Sequence, residues 1–265
     1  MNMRAGNIVL KIFAAVAFIA MVAVNFLAQA LPINGMTPGE VSDSLPNLFA
    51  PAGFTFSIWG LIYLTLAVFT IYQLGFTKQF DKTAVPDKVR ALFILSSLAN
   101  IAWIFSWHYG FFAWSMFLMI VIFVTLIFIN LSLDREPLRR AEKLMVRLPF
   151  SLYFGWITVA TVANATALLV SIGWDRFGLS EQTWAIIILI VAMLIGTATL
   201  VRRKDMTYGL VLIWAYVGIL IKHLSANGFA GMYAGVIATI SACLIVYLAA
   251  EGFVIIRSAK RIQQA

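Results

Sequence analysis

Long apolar stretches alternate with short polar ones along the whole chain, and eight such stretches can be marked: 10–30, 54–76, 90–108, 111–133, 146–172, 183–201, 207–223 and 229–256. Each is close to the ~20 residues that carry a helix across ~30 Å of hydrocarbon. Backbone amides in lipid need hydrogen-bond partners within their own segment or in a closed barrel. No alternating pattern of ~10-residue strands is present, so the pattern predicts helices. The expected fold is an all-α integral membrane protein with eight transmembrane helices. Only His108, Tyr109 and Gly110 separate the third stretch from the fourth, which predicts a tight antiparallel hairpin. The seventh stretch is the shortest. No repeat of fixed period and no low-complexity tract occurs.

The basic residues orient this array. Arg4 and Lys11 flank the first stretch. Lys78, Lys82, Lys88 and Arg90 surround the second connection, and Arg135, Arg139, Arg140, Lys143 and Arg147 the fourth. Arg202, Arg203 and Lys204 fill the sixth, and Arg257, Lys260 and Arg261 end the chain. Only Arg176 and Lys222 fall on the opposite side. Basic loops remain cytoplasmic, so an eight-helix chain in the cell membrane has both termini in the cytoplasm. The first stretch ends at Ala28-Gln29-Ala30, which has the form of a signal-peptidase site. Cleavage there would leave seven helices, but the stretch is longer than the ~7–15 residues usual for a signal core.

Composition narrows the function classes. Hydrophobic residues make up 62% of the 265 positions and charged ones 11%, and the mean hydropathy is +0.95. A chain so poor in charge has no water-facing surface to cover, and lipid is its solvent. The net charge of +8 lies in the loops rather than on a folded basic face, which excludes nucleic acid as a partner. Cys243, the only cysteine, lies inside an apolar stretch and reads as a packing residue. His108 and His223 have no second ligand at a metal-binding spacing and read as interfacial polar residues. No phosphate loop, dinucleotide fingerprint, serine elbow or acid–base pair occurs. Nothing points to an enzyme, a metal or a resident cofactor.

The first polar connection, about 31–53, holds Pro32, Pro38, Pro46, Pro51, Gly35, Gly39 and Gly53, with Glu40 and Asp43 but no Lys or Arg. Such a loop favours turns over a long helix, and its length suits a lid or binding loop. Of the eight tryptophans, Trp107, Trp114, Trp174 and Trp184 fall at stretch ends, as an aromatic belt requires. Trp59, Trp103, Trp156 and Trp214 lie deeper, where an indole N–H must find a partner. Asn100, Trp103 and Trp107 recur on one helical face, as do Trp156, Ala160 and Asn164, and Trp59 lies one turn from Tyr63. An amide at membrane depth turns into the bundle. These residues fit two uses, as glue between helices or as the lining of a cavity that stacks a flat apolar ligand.

Three segments carry a resemblance. Ala50-Pro51-Ala52-Gly53-Phe54-Thr55-Phe56-Ser57-Ile58-Trp59-Gly60-Leu61-Ile62-Tyr63 resembles the Pro…Trp-x-x-x-Tyr entry to the second helix of the TspO/MBR family, the tryptophan-rich sensory proteins and peripheral benzodiazepine receptors. Leu98-Ala99-Asn100-Ile101-Ala102-Trp103, followed by Phe111-Phe112, is similar to the family's Leu-x-Asn-x-x-Trp in helix three. The run from Leu148-Pro149 through Tyr153 and Trp156 to Ala160-Thr161 and Asn164 resembles the motif of helix five. The resemblance covers about residues 10–172. It implies a five-helix bundle, residues 1–172, whose pocket binds porphyrins, sterols or synthetic aromatic ligands. A porphyrin would then be a ligand rather than a cofactor. By carry-over, the ligand-binding residues would be Pro51, Trp59, Tyr63, Asn100, Trp103, Trp156, Ala160 and Asn164. The family's aromatic and Lys-Pro residues of the first loop are not recognisable; Leu45-Pro46-Asn47-Leu48-Phe49 stands in their place. Residues 173–265 would add three helices to the same membrane domain.

Glu251, one to two turns from Arg257, is an intramembrane carboxylate and so a functional candidate, although the simpler reading has it snorkel to water or pair with a loop cation. Lys222 and Arg176 could meet an anionic ligand group or pair with Asp175, Glu181, Glu40 or Asp43. Gly231 and Gly235 form a small-xxx-small pair that suits packing within the bundle or between protomers of a homo-oligomer. The expected function is a binding protein, and a transporter in prospect, for hydrophobic planar ligands. The alternatives are a secondary transporter of another small solute using Glu251, and an intramembrane enzyme acting on a tetrapyrrole or lipid. The topology has a direct check. A fluorescent reporter fused after Ala265 should light up in the cytoplasm, and a reporter active only outside would reverse the assigned orientation.

Overall fold

The computed structural model describes residues 3–75 and 85–263, with side chains for residues 8–75 and 85–258. Eight long helices occur among the described residues: α1 (Met3–Ala30), α2 (Ile58–Leu74), α3 (Asp87–His108), α4 (Phe112–Leu133), α5 (Leu148–Ser171), α6 (Glu181–Arg203), α7 (Met206–Leu224) and α8 (Ala234–Gln263), and no strand is present among them. Each lies in a segment long and apolar enough to cross a membrane, and no more than half of any span's most apolar window is buried inside the protein. The outward remainder is Leu, Ile, Val and Phe, as at Leu64, Ile71 and Phe128, which only lipid solvates without penalty. The residues of the second connection that include Lys78 and Lys82, and the side chains of Arg4, Lys260 and Arg261, lie outside the described residues.

Local chemistry sets the helix ends. Gly75 stops α2 with left-handed φ of 72° and gives its N–H to the Tyr72 carbonyl, a conformation that costs glycine nothing. The α3–α4 hairpin turns on Gly110 at φ 74°. Ser180 caps α6 by accepting the Thr183 N–H at 3.1 Å, and Asp205 caps α7 through the Tyr208 N–H at 3.2 Å. The Pro- and Gly-rich first loop forms short helical turns, Ile33–Gly35, Pro38–Asp43 and Gly53–Ser57. The middle turn has Pro38 at its first position and a reciprocal cap. The Thr37 N–H reaches Glu40 Oε2 at 2.7 Å while the Glu40 N–H reaches Thr37 Oγ1 at 3.3 Å. These bonds hold the Glu40 carboxyl below its ordinary range. The eighth stretch begins later than its hydropathy suggests. Ala230 and Gly231 lie in a turn with φ of 49° and 78°, so Gly231 and Gly235 do not share a helix and form no packing stripe.

The chain forms two compact units. The first comprises Met1–Val41 and Ser57–Ile157, the second Ser42–Phe56 and Thr158–Ala265. In the first unit α1 packs on α2 and α3, and α3 on α4. Its centre is a cluster of phenylalanine rings, with Phe69 of α2 lying 4.7 Å from Phe150 of α5 and 5.3 Å from Phe93 of α3. Phe18 of α1 closes on Phe93 at 6.1 Å. At one end Arg90 is almost wholly buried, donating to Gln73 Oε1 at 3.1 Å and to Asp87 at 2.6 Å, while the Gln73 amide donates to the Lys11 carbonyl. A buried guanidinium persists only when so engaged.

In the second unit α6, α7 and α8 pack pairwise. The Tyr216 ring meets that of Tyr247 at 5.1 Å, and their hydroxyls donate to the Leu189 and Ala192 carbonyls of α6. One face of α7 holds residues 43–55 of the first loop. Trp214 Nε1 donates to the Thr55 carbonyl at 3.0 Å, the Ala52 N–H to the Gly218 carbonyl at 3.1 Å, and Lys222 Nζ to Asp43 at 2.5 Å. His223 Nε2 lies 3.0 Å from the Leu48 carbonyl. Positions 214, 218 and 222 are one turn apart, so a single stripe makes three of these contacts. Gly218 is required there, because a Cβ would run into Thr55 Oγ1 and stand 2.7 Å from its methyl. Gly218→Ala should therefore destabilise by ~1–3 kcal/mol, the usual cost of overpacking. Gly252→Ala, with open space around it, should be neutral or mildly stabilising. Thermal unfolding in detergent, with limited proteolysis of residues 43–55, checks this; equal midpoints for the two variants would overturn it.

Candidate ligand-binding site

An amide or phenol inside an apolar bundle must bond to another protein group. In the first unit that requirement links three helices. Asn25 of α1 donates to Asn100 Oδ1 of α3 at 2.7 Å, and Asn100 Nδ2 donates to the Tyr153 hydroxyl of α5 at 3.3 Å. Asn100 and Tyr153 are wholly buried. Asn25 is an amide within the first apolar stretch, and the rule that turns Asn100 inward applies to it equally. Tyr153 carries the relay onward to the aromatic residues.

Tyr153 touches the ring of Trp59 edge-on at 5.8 Å. Trp59, half-buried at the start of α2, stacks on Tyr63 one turn later at 5.3 Å and 21°, and meets Trp156 of α5 edge-on at 6.3 Å. Trp59, Tyr63, Trp156 and Asn100 are thus joined, with Tyr153 as the common neighbour. Trp103 is buried in the same unit and stacks on Trp107 at 5.8 Å. Trp107 departs from the interfacial expectation. It is buried, because its indole N–H finds the Pro38 carbonyl at 3.2 Å. Trp114, 63% exposed, keeps to the belt pattern.

Two polar atoms of this set are unanswered. The Tyr63 hydroxyl and the Trp103 Nε1–H are buried with no hydrogen-bond partner among the described residues. Each costs ~1–3 kcal/mol in desolvation when unpaired, so both atoms stand ready for an acceptor that the described residues do not supply.

The other carried-over residues belong to the second unit: Pro51 and Asn164 are buried there and Ala160 is half-buried. Trp214 is tied to the first loop through Thr55 and packs edge-on against Phe54 at 5.6 Å. His108 and His223 are buried rather than interfacial, bonded to the Ile104 and Leu48 carbonyls at 2.7 and 3.0 Å. Lys222 takes Asp43 as its partner. Glu251 does not snorkel, and among the described residues it pairs with no cation. It is 6% exposed, its Oε1 has no partner among the described residues, and it lies against the backbone of Gly209, where a Cβ would strike it. Arg257 instead sits over the Phe253 ring.

The amide relay yields a stability prediction. Asn100→Ala leaves the Tyr153 hydroxyl unpaired and should cost ~1–3 kcal/mol. Asn25→Ala should cost less, since Asn100 keeps Tyr153. The double variant should fall short of the sum, measured by chemical unfolding in detergent; strict additivity would break the proposed coupling. A family model described as TSPO-like protein matches residues 11–252, taking in α6, α7 and most of α8 as well as the first five helices. No curated protein and no solved structure matches the chain.

Proposed function

The chain belongs to the TSPO-like protein family and is an integral membrane protein, and from that premise we propose that it binds a hydrophobic, planar ligand such as a porphyrin or a sterol and serves in its transport. The observation that carries this reading is the pairing of clustered aromatic rings with unanswered buried donors in one unit. The Trp59 ring lies 5.3 Å from Tyr63 and 6.3 Å from Trp156, and the Tyr63 hydroxyl and Trp103 indole N–H have no acceptor among the described residues. A flat ligand carrying a carboxylate or carbonyl at its edge would stack on the first and accept from the second. Asn100 and Tyr153 take a supporting part, since their relay holds α1, α3 and α5 in register beneath the aromatic group.

A second reading rests on Glu251. A carboxyl buried at membrane depth, with no basic partner among the described residues, is a natural proton carrier, and a solute transporter would use it so. One set of proteoliposomes separates the two. Protoporphyrin IX should quench tryptophan fluorescence saturably, with Trp156→Phe and Tyr63→Phe each weakening binding about tenfold, or ~1.4 kcal/mol, and Glu251→Gln leaving it intact. A flat titration, or variants indistinguishable from the parent, would remove the planar-ligand reading. Proton-coupled solute flux lost only in Glu251→Gln would favour the second.

A further inference from the structure

The second unit contains a cavity of about 310 Å³ that the aromatic–amide cluster does not use. Thr166, Leu169 and Val170 of α5 line it at helical spacing, with Gly173 in the turn just beyond the helix end. They begin about 200° around the helix from Asn164, two residues back at ~100° per residue, so this is another face of α5. The opposite wall is Trp184, Ala185 and Ile188 of α6, and residues 46–49 of the first loop close one side.

The turn between α5 and α6 builds the polar end. Its first part follows from Gly173 at φ 65°. The Trp174 N–H returns to the Leu169 carbonyl and the Gly173 N–H to the Val170 carbonyl, which brings Trp174 back over the helix end. There its ring meets Trp184 at 4.7 Å. Arg176 and Phe177 then both take left-handed backbone, φ 59° and 56°. That is costly for residues with a Cβ, and strain of this kind gathers at binding sites. Asp175 supports it by accepting the Phe177 N–H at 3.1 Å.

The charges of the cavity are unpaired with one another. Asp175, Arg176 and Glu181 all line it, yet among the described residues no carboxylate lies within ion-pairing distance of Arg176, whose guanidinium makes a single hydrogen bond there, from Nε to the Leu179 carbonyl at 3.4 Å. Its terminal guanidinium nitrogens are free to grip an anion by two parallel bonds. The uncommitted polar atoms are few, because Asn47 is spent on the Phe49 and Ala50 N–H groups and Thr166 on the Val162 carbonyl. What remains is a cation, two carboxylates and two indole faces above an apolar trough. A simple anion would meet two carboxylates, and a simple cation would meet Arg176. A head group carrying both signs satisfies all three, its phosphate on Arg176 and its ammonium between Glu181, Asp175 and the indoles. The volume sits at the small end of the ~300–1,000 Å³ of ligand pockets, which suits one chain rather than a macrocycle.

We infer that this cavity is a second ligand site, specific for a zwitterionic phosphate–ammonium amphiphile with an apolar chain along α5 and α6. The site is independent of the planar-ligand reading. The full-length protein in dodecyl maltoside, titrated with dodecylphosphocholine below its micelle concentration, tests it through the thermal unfolding midpoint. Dodecylphosphocholine should raise the midpoint and bind at least tenfold more tightly than dodecyl phosphate or dodecyltrimethylammonium. Arg176→Gln, Glu181→Gln and Trp184→Leu should each lose tenfold or more, and Trp156→Phe should bind as the parent does. Binding of either single-charge analogue within threefold of dodecylphosphocholine would overturn the assignment, as would Arg176→Gln and Trp184→Leu variants that fold and bind unchanged. Repeating the titration in nanodiscs identifies the source. Competition by phosphatidylcholine but not phosphatidylglycerol bilayers points to a bilayer lipid, and equal binding in both to a free single-chain amphiphile.

Discussion

Hydrocarbon offers no hydrogen bonds, so every polar side chain that this chain carries into the membrane must be answered by another part of the protein. The Asn25–Asn100–Tyr153 relay is the plainest consequence. It ties α1, α3 and α5 through three side chains that would each be costly to bury alone. Because the relay ends on Tyr153, which abuts Trp59, it also sets where the tryptophans of α2 and α5 can stand. Stability and site geometry in the first unit follow from one constraint.

The same accounting explains where polar atoms are left over. Tyrosine hydroxyls of the second unit reach helix carbonyls at Leu189 and Ala192, and Arg90 is fully engaged at the edge of the first. The Tyr63 hydroxyl, Trp103 indole and Glu251 Oε1 are among the buried atoms that the described residues leave unanswered, together with Thr55 Oγ1, Ser97 Oγ, His108 Nε2 and His223 Nδ1. Arg176 makes the same point in the turn before α6. Its guanidinium ends are free of any carboxylate among the described residues, while Lys222 is spent on holding the first loop.

That first loop is fastened rather than loose along residues 43–55. Its contacts to α7 fall at one-turn intervals and depend on Gly218 lacking a side chain. The family match runs through α6 and α7 and into α8, and α7 shows one physical reason for that extent: it supplies the surface on which this part of the loop is built.

Hydropathy along the chain was enough to place all eight helices, the α3–α4 hairpin and the membrane as solvent, since each depends on a run of neighbouring residues and on the cost of exposing them to the wrong medium. Motifs at helical spacing were enough to mark the family itself, and they singled out Trp59, Tyr63, Asn100, Trp103 and Trp156 as the candidates on which the proposed function rests. The burial of Trp107 and His223 could not be read from position in a stretch, because each depends on a carbonyl from elsewhere along the chain. The start of α8 shifted for a local reason of another kind, a left-handed turn at Ala230 and Gly231 that hydropathy does not encode. The free charges around Arg176 and the fastening of the loop to α7 join residues scores of positions apart or depend on how a turn folds. Only tertiary structure decides which of several nearby partners a long polar side chain takes, because a few tenths of an ångström and one missing Cβ separate a bond from a clash.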